Sequence, residues 1–419
     1  MLKFTILLAG LIILISTPAS ATIINVPGDY GGIQAGINAS SDGDTVLVQS
    51  GYYFGNINFN GRGITLGSLY LTSGYIGYIS STTIHGYGSG SVMTFDSNED
   101  HSSIVVGFTI TGGNHIRGAG IYCENSSPEF RNNIVTNNIA HEDENWNGLG
   151  GAFYCFQSDL ILRGNVIFSN NAYYDGGAMY LHNSNPLIVN NTFYGNSAMY
   201  GGAISCTGSS ALTLINNIFW ADSATDMGNE FYLSDDVWPL FTYCNIQDTL
   251  WPGDGNINQP PLFRDPAGWD FHLMATECDD PYDSPCIDAG DPDILDGVSG
   301  CEWGLGESRS DMGAYGGGDS VEVDINDLSQ VPDKFKISQS YPNPFNAITT
   351  IQYKLPTATN VAIDIFDIKG GWVTSLVNGF NPAGSHRISW DASGYSSGIY
   401  LYRLRTSSHT ESRKMIFLK

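Results

Sequence analysis

The chain has 419 residues, which is enough for two or more domains; 50 residues are glycine and only 14% are charged. Its formal net charge of −25 argues against recognition of nucleic acid through charge. Residues 22–320 contain six Arg, no Lys and 34 acidic residues (6 − 34 = −28), whereas residues 321–419 contain ten basic and eight acidic residues (10 − 8 = +2). This contrast predicts two domains that meet near residue 320.

Residues 1–21 have the features of a secretion signal. Lys3 precedes an apolar run of twelve residues, Phe4 to Ile15, and the segment ends in PASA at residues 18–21. Such a run is too short to span a bilayer, and small residues at its end are typical of a cleavage site, so we predict cleavage after Ala21. No other apolar stretch approaches a spanning length, and the mature protein is not expected to cross a membrane by itself.

The segment that follows the signal is predicted to cover one end of the fold. Asp29 can cap a short helix whose apolar residues Ile33 and Ile37 are four positions apart. The sequence SDGD then turns the chain into a strand at Val46 to Val48. A short amphipathic helix at this place would protect an open sheet edge. Further strands are expected, at irregular spacing, around Ile57, Ile64, Thr83, Val92, Ile104 and Phe108.

Residues 118–224 contain four copies of one pattern. The copies begin with GAGIYC, GGAFYC, GGAMYL and GGAISC at Gly118, Gly150, Gly176 and Gly201. Three further positions recur at the same intervals of 32, 26 and 26 residues: Asn133, Asn165, Asn191 and Asn217; Asn138, Asn170, Asn196 and Asp222; Ala140, Ala172, Ala198 and Ala224. The longer first interval reflects a polar insertion at residues 141–148. A fixed period of this length indicates stacked structural units.

Apolar residues alternate within each copy, which predicts strands rather than helices. Ile121 and Cys123 point to one side of their strand and Tyr122 to the other, and two further runs are centred on Phe130 and Val135. Three short strands in roughly 25 residues predict a coil of three parallel sheets with rungs about 4.8 Å apart. The asparagines that begin with Asn133 would stack at one corner, exchange amide hydrogen bonds between rungs and occupy left-handed backbone.

With these motifs, residues 22–320 resemble the right-handed parallel β-helix, or pectin-lyase-like, proteins. The resemblance implies an all-β, right-handed three-sheet solenoid, and that hand agrees with the general rule for parallel crossovers. The segments SPCIDAGDPD (284–293) and SDMGAYGG (310–317) resemble the terminal rung of secreted bacterial β-helix proteins. Residues 321–334 are polar and aperiodic, and we interpret them as a linker.

Residues 335–419 contain seven short alternating runs separated by turn residues, which predicts a small immunoglobulin-like sandwich. The motifs YPNPFN (341–346), IFDIKG (365–370), NPAGSHRISWDASG (381–394), SGIYLYRL (397–404) and the terminal RKMIFLK are similar to those of the C-terminal sorting domain of type IX secretion. Ala347 and Gly371 depart from residues common in that family. The resemblance implies interaction with the type IX machinery and delivery to the exterior or the outer-membrane surface of a Gram-negative bacterium. The alternative is an ordinary sandwich that serves as a spacer.

Six of the seven cysteines fall into two groups. Cys123, Cys155 and Cys206 share one inward position of the repeat, where stacked cysteines are expected to be buried and unpaired, although Cys123 and Cys155 could approach closely enough to oxidise. Cys278, Cys286 and Cys301 lie outside the repeat. One disulfide is expected among these three in an exported protein, and the sequence does not choose its partners.

Acidic residues crowd the region around residue 290. Asp288, Asp291 and Asp293 could supply oxygen ligands for Ca²⁺, the one cofactor that the sequence suggests. Their spacing does not match an EF-hand, and Asp beside Pro and Gly is also ordinary in turns. Both interpretations stay open.

Catalysis has little support in the repeated positions. A polysaccharide lyase needs a basic residue and cations against a uronate, but residues 22–320 have no Lys and a charge of −28. A glycoside hydrolase needs facing carboxylates, and the outward columns contain none. An enzyme would therefore have to use irregular loops such as HEDENW at residues 141–146, and the catalytic residues are unknown.

Two columns of aromatic residues are predicted to face outward from successive rungs, and both are candidates for carbohydrate binding: Tyr122, Tyr154 and Tyr180; Phe168, Tyr194 and Trp220. Outward aromatic rings can stack on sugars, and exposed apolar strips tend to mark contact surfaces. Alternatively, such rings only join neighbouring rungs. The favoured hypothesis is a surface protein that binds glycan or a neighbouring cell without catalysis. The alternatives are a polysaccharide lyase or glycoside hydrolase, and a purely structural surface protein.

Overall fold

The computed structural model describes residues 21–143, 148–235, 237, 239–296, 300–302, 304–306, 308–316, 334–337, 340, 343–357, 359–381 and 384–419. Residues 1–20 of the predicted signal, most of the predicted linker, part of the 141–146 loop and Tyr341 of YPNPFN lie outside these residues. By contact density the chain forms two compact units, residues 1–206 with 219–232 and residues 207–218 with 233–419.

Parallel strands stacked in four sheets form the greater part of the structure, so the predicted parallel β-helix is confirmed. The nine-stranded sheet contains, in order, Ile23–Val26, Thr45–Val48, Thr65–Ser68, Ile104–Val106, Glu129–Arg131, Ile161–Arg163, Leu187–Val189, Thr213–Ile215 and Leu240–Thr242. The eight-stranded sheet contains Gly51–Phe54, Thr82–His85, Thr109–Thr111, Ile134–Thr136, Val166–Phe168, Thr192–Tyr194, Ile218–Trp220 and Asn245–Ile246. The seven-stranded sheet contains Ile57–Asn58, Met93–Phe95, Ile121–Glu124, Phe153–Phe156, Met179–His182, Ile204–Thr207 and Phe231–Leu233.

The fourth sheet adds a side that the sequence pattern does not predict. Its five strands are Asn114–His115, Ile139–Ala140, Asn171–Ala172, Ser197–Tyr200 and Ser223–Met227. Several are only two residues long, too short to show alternation. Small inward side chains allow the corner to close, and Ala119, Ala140, Ala172 and Ala198 pack together in a cluster. The central rungs therefore have four strands where three are expected.

The predicted asparagine ladder is present in the first unit. The side-chain Nδ2 of Asn133 donates to Oδ1 of Asn165 at 3.0 Å, and Asn165 donates in the same way to Asn191 at 2.9 Å. The backbone N–H of each donor residue reaches the same oxygen. The left-handed conformation, however, belongs to the preceding residue, as in Asn132 and Asn190, rather than to the ladder asparagine.

A short helix, Ile33–Ala39, lies at the start of the coil and buries Ile33, Gly36 and Ile37. The predicted cap by Asp29 is wrong, because the helix begins after Gly32 and has no side-chain cap. Asp29 instead accepts hydrogen bonds from the backbone and side chain of Asn25 and stabilises the preceding turn. Two shorter helices, Tyr70–Ser73 and Gly77–Ser81, follow.

Aromatic rings fill much of the coil interior. Phe95 contacts Phe130 and Phe130 contacts Phe153, with ring centroids 5.7 and 5.3 Å apart. Phe193 and Phe219 stack at 4.5 Å. These rings are fully buried, and each contributes about 1.5–3 kcal/mol through removal from water.

The cysteines follow the predicted division. Cys123, Cys155, Cys206, Cys244 and Cys286 are buried and form no disulfide, as expected for cysteines of the core. Cys278 and Cys301 form the disulfide, so Cys286 is the unpaired member of the three candidates. In the second unit, Cys244 takes the ladder position of an asparagine and receives the N–H of Asn217 at its sulfur, 3.4 Å away. The same region has an antiparallel pair, Phe263–Asp265 and Asp270–Leu273, and 3₁₀ turns at Pro266–Gly268 and Thr276–Cys278.

The C-terminal strands form two antiparallel sheets, as predicted. One contains Lys336–Ile337, Ile348–Leu355 and Gly384–Asp391; the other contains, in order, Trp372–Asn381, Thr359–Asp367, Gly398–Arg405 and Thr410–Phe417. Residues of both sheets share one core, which includes Ile351, Ile363 and Tyr402. The buried Tyr402 hydroxyl accepts the backbone N–H of Ser340 at 2.7 Å. Among the described residues, no helix has the length and apolar character needed to span a membrane.

Candidate functional site

The predicted column of Phe168, Tyr194 and Trp220 lies on the eight-stranded sheet, but its three side chains are not equally exposed. Phe168 pairs with Thr136 on one side and with Tyr194 on the other, as the repeat predicts. Phe168 is only 3% exposed, whereas Tyr194 and Trp220 are half-buried. Its outward-facing neighbours Thr136 and Val166 are buried too, so this part of the outer sheet surface is covered. The expectation that Phe168 faces solvent is therefore wrong, because outward from the coil is not the same as exposed.

The second column lies on the seven-stranded sheet and forms a continuous stack of rings. Tyr122 and Tyr154 are near parallel, with centroids 5.3 Å apart and planes at 10°. Tyr154 and Tyr180 are 5.5 Å apart with planes at 13°. Both faces of the Tyr154 ring are thus taken by neighbours, and this ring is 6% exposed while the other two are half-buried. The stack joins neighbouring rungs, which is the alternative to sugar stacking that the sequence also allows. With the faces of Tyr154 covered, the ring edges are what remains for contact from outside.

A parallel column of residues frames this stack. Arg117, Leu149, Asp175 and Tyr200 pair in succession through isolated parallel bridges, and each precedes a glycine with positive φ. The side chains of Arg117 and Tyr200 each contact the outward-facing residue of the next rung. The Arg117 guanidinium lies 5.8 Å from the Tyr154 ring, and the Tyr200 ring lies 5.2 Å from that of Tyr232.

The glycines after the framing residues permit this arrangement. Gly176 has φ +68°, and a Cβ on it would overlap the carbonyl of Met179 because the chain folds back on itself within three residues. Gly118, Gly150 and Gly201 have the same conformation and an equivalent clash. Only glycine fits such a position. The repeat of glycines therefore fixes where each framing side chain projects.

Asp175 and Ser205 form a polar pair where the tyrosine column is interrupted. The fourth copy has Ser205 in place of tyrosine, and its hydroxyl donates to Asp175 Oδ1 at 3.0 Å. Both residues are buried, at 9% and 0% exposure. Burial raises the pKa of Asp175 to about 6, and the Ser205 hydrogen bond opposes part of that rise. The repeat pattern does not predict this pair, although the change from GGAMY to GGAIS marks the position where tyrosine is replaced by serine.

Several phenol groups on this side of the coil are paired with carboxylates. The hydroxyl of Tyr122 donates to Glu124 Oε2 at 2.6 Å, and burial together with this bond raises the pKa of Tyr122. A hydrogen bond to Asp226 and partial burial raise the pKa of Tyr200 to about 12. Phe156 and His182 stack beside the column at 5.4 Å. We call this surface the tyrosine face and define it as Arg117, Tyr122, Glu124, Tyr154, Phe156, Asp175, Tyr180, His182, Tyr200, Ser205 and Tyr232.

The three predicted calcium ligands take part in turns and backbone hydrogen bonds. The N–H of Asp291 donates to Asn216 Oδ1, the N–H of Asp293 donates to Asp291, and the N–H of Asp288 donates to Asp311. Across the described ranges, no three His, Cys, Asp or Glu side chains are grouped so as to hold a metal ion. In these bonds Asp291 also uses its carboxylate, whereas Asp288 and Asp293 use their backbone N–H groups, and calcium binding by the three residues stays a prediction.

The His272 imidazole contacts two acceptors in the second unit. Its Nδ1 contacts Asp270 Oδ1 and its Nε2 lies 3.2 Å from the Glu302 carbonyl. The ring also stacks on the half-buried Tyr315 at 3.9 Å. Both ring nitrogens and one ring face of His272 therefore contact neighbouring groups.

Comparison with known proteins identifies the C-terminal part of the chain. Residues 339–418 match the family described as the secretion system C-terminal sorting domain. No curated protein matches the chain.

Among solved structures, the chain is similar to dimeric latent PorU from Porphyromonas gingivalis, at 25% identity over 21% of this chain and 9% of that one, with a TM-score of 0.18. It is also similar to PorZ, a surface component of the type IX secretion system of the same organism, at 16% identity over 27% of this chain and 13% of that one, with a TM-score of 0.16. The chain thus spans only a small part of either protein. Residues 339–418 are a C-terminal sorting domain, and the protein is exported by type IX secretion to the cell surface or beyond.

Proposed function

We propose that this exported β-helix is a non-catalytic glycan-binding protein and that the tyrosine face contacts the glycan. The observation that carries the proposal is the file of phenol groups in three successive rungs, Tyr122, Tyr154 and Tyr180, with carboxylates at its sides. Phenols and carboxylates together offer the donors and acceptors that sugar hydroxyls require. The stacked rings keep these groups in fixed positions, so little side-chain entropy is lost on binding.

The repetition of the face suits a ligand that also repeats. Equivalent positions recur in each rung at a spacing of about 4.8 Å. Successive units of a polysaccharide can therefore meet similar groups, and contacts that are weak individually add through multivalency. A surface protein that holds an extended polymer gains more from such a file than from one deep pocket.

The charge of the coil restricts the class of glycan. Residues 22–320 carry six Arg and 34 acidic residues, or −28. Polyuronates and sulfated polymers would be repelled at low ionic strength. We therefore propose a neutral polysaccharide as the ligand.

The test is affinity electrophoresis of the mature full chain in gels that contain xyloglucan, galactomannan, arabinoxylan or laminarin. The double variant Tyr122→Phe/Tyr180→Phe keeps the ring stack and removes two hydroxyls. We expect at least one polymer to retard the wild type and the variant to bind at least fivefold more weakly. Tyr282→Phe is the matched control, because Tyr282 is 66% exposed and lies outside the face. Equal retardation of wild type and double variant in every gel would contradict the proposal.

A catalytic alternative has one observation in its favour. Asp175 has a pKa raised to about 6 by burial, as a general acid near neutral pH requires. Incubation with the same polymers, read by reducing ends, tests for hydrolase activity. Incubation with polygalacturonate or alginate, read by absorbance of unsaturated uronate, tests for lyase activity. Product that disappears in Asp175→Asn would replace the non-catalytic proposal. Self-association without retardation in any gel would instead indicate a purely structural role.

A further inference from the structure

The first rungs of the eight-stranded sheet display a cluster of aromatic rings on another part of the coil. Tyr52 and Phe54 lie on the same side of the strand Gly51–Phe54, and His85 is the direct strand partner of Phe54. Tyr87 follows two residues later. Tyr52, Phe54 and Tyr87 are 54%, 62% and 76% exposed, which makes them some of the most exposed large apolar side chains described. A cluster of exposed apolar rings of this size tends to mark a contact surface.

The rings form a corner rather than a closed stack. Phe54 and Tyr87 are nearly perpendicular, at 84°, with centroids 5.6 Å apart. Tyr52 lies 4.9 Å from Phe54 at 53°, and His85 lies 5.5 and 5.8 Å from these two rings. In the tyrosine face each ring covers the next, whereas here the tilted rings leave their faces open. The cluster therefore offers two nearly perpendicular aromatic surfaces, those of Phe54 and Tyr87.

Backbone contacts hold this corner in place. The N–H of Tyr87 donates to Nδ1 of His85 at 2.8 Å, which orients the imidazole. The neighbouring N–H groups of Gly86 and Gly88 donate to the carbonyls of Thr111 and Gly112 in the next rung, at 3.0 and 2.9 Å. Gly112 lies so close that a Cβ there would overlap the His85 ring. The cluster is thus preorganised, which lowers the entropic cost of binding.

Tyr87 is held in an unfavourable conformation. Its φ of 57° is left-handed, where a side chain with a Cβ costs energy. Many other corners of the coil use asparagine for this conformation, for example Asn125, Asn132 and Asn137, although Ser169 and Tyr243 adopt it too. A tyrosine at such a corner projects its ring into solvent, and strain of this kind is common at binding sites.

Charge selects the class of ligand. None of the four side chains is a carboxylate, lysine or arginine, and residues 22–320 have no Lys and a charge of −28. Anionic lipid surfaces and nucleic acids are therefore repelled. A pyranose unit of a neutral polysaccharide has flat C–H faces that fit open aromatic rings and hydroxyls that fit their polar edges.

We infer that Tyr52, Phe54, His85 and Tyr87 form an aromatic platform that binds one pyranose unit of a neutral polysaccharide by ring stacking. The platform lies on the eight-stranded sheet, and the tyrosine face lies on the seven-stranded sheet. The inference therefore does not rest on the proposed function. The two surfaces also use different chemistry, since one offers open ring faces and the other offers phenol edges.

The experiment uses the mature full chain in affinity electrophoresis with the same four neutral polymers. Phe54→Ala/Tyr87→Ala removes the corner, and both side chains are exposed enough for the fold to tolerate the change. We expect at least a tenfold loss of association constant in the polymer that retards the wild type. Tyr282→Ala, an equally exposed tyrosine elsewhere, should bind as wild type. Unchanged thermal unfolding of the double variant confirms that it is folded.

Combination with Tyr122→Phe/Tyr180→Phe separates the two surfaces. If only Phe54→Ala/Tyr87→Ala loses binding, the platform binds the polymer and the proposal for the tyrosine face is wrong. If only Tyr122→Phe/Tyr180→Phe loses binding, the inference about the platform is wrong. Sedimentation velocity adds a further check, because self-association of the wild type that the platform variant abolishes would make the occupant a second copy of the chain and overturn the inference. Absence of retardation by all four polymers would overturn it as well.

Discussion

Asp222 Oδ1 accepts two hydrogen bonds from Asn196, from its backbone N–H at 2.7 Å and from Nδ2 at 2.8 Å. Asp222 thereby ends a second ladder, in which Asn138, Asn170 and Asn196 are linked by the same pair of bonds. The carboxyl of Glu230 is also buried and lies beside that of Asp222. Two adjacent buried carboxyl groups avoid a pair of unscreened negative charges only if one of them retains a proton. Burial raises the pKa of Asp222 to about 7.

The replacement Asp222→Asn should stabilise the protein at neutral pH. The folded-state pKa of about 7 exceeds the ordinary aspartate value of 3.8. The protonated pair therefore stabilises the fold fully below about pH 4, and this contribution is lost as the pH rises through 7. Asparagine keeps the acceptor for Asn196 and supplies a permanent donor toward Glu230. We expect a gain of about 2 kcal/mol at pH 7 and a smaller change at pH 4.

The measurement is the free energy of unfolding in guanidinium chloride at pH values from 4 to 8. The wild type should lose stability across this range more steeply than Asp222→Asn. Asp235→Asn, the same change at an exposed residue, should leave the pH dependence as it is. Parallel pH profiles for the wild type and Asp222→Asn would show that the carboxyl pair does not carry a shared proton.

Asn165→Ala should destabilise the first unit by about 2–4 kcal/mol. Its Oδ1 accepts two bonds from Asn133, and its Nδ2 donates to Asn191 and to the carbonyls of Phe130 and Arg163. Alanine leaves the buried N–H of Asn133 without its acceptor and removes the other four bonds, and an unsatisfied buried group costs about 1–3 kcal/mol before the structure relaxes. Denaturant unfolding measures the loss. The exposed Asn38→Ala is the control and should change stability by less than about 0.5 kcal/mol; equal effects of the two changes would contradict the ladder's role.

The repeat intervals predict a large part of this fold because they place equivalent side chains in one vertical file. Tyr122 pairs with Tyr154 and Cys123 with Cys155 in the register that subtraction of residue numbers gives. Equal spacing also places Asn133 beneath Asn165. Features that depend on a single rung are not predicted in this way. Three strands of the fourth sheet have only two residues and are too short to alternate, and the cap of the first helix depends on local backbone geometry at Gly32.

The candidate site was only partly predictable for a related reason. Alternation determines the side of the strand on which Phe168 lies, but burial depends on what packs over that side. Asp175 is separated from Ser205 by 30 residues, and their hydrogen bond follows from a framing column that alternation does not reveal. The aromatic platform escaped notice because Tyr87 lies at a corner of the irregular early rungs, outside the four regular copies.

Thiol counting should distinguish buried free cysteines from oxidised ones. Five cysteines are buried thiols outside any disulfide, and Cys278 is bonded to Cys301. We expect iodoacetamide to modify none of them in the native protein, five after unfolding in guanidinium chloride, and seven after unfolding with reductant, as read by intact mass. Burial raises the pKa of Cys155 well above that of a free thiol, which further slows its reaction. A count of three in the unfolded, unreduced protein would indicate a second disulfide, for instance between Cys123 and Cys155.

Phe168→Ala should lower stability without changing glycan retention. The side chain is 3% exposed, and loss of a buried phenylalanine typically costs about 3–5 kcal/mol. A covered ring cannot contact a sugar, whereas the half-buried Tyr194 and Trp220 of the same column can. Tyr194→Ala/Trp220→Ala therefore tests whether that column adds to binding, and Phe168→Ala is its matched control. Both variants are compared with the wild type by affinity electrophoresis at a temperature where thermal unfolding shows all three to be folded. Weaker retardation of folded Phe168→Ala would mean that the glycan reaches the Phe168 ring of the wild type. This column would then also bind the glycan.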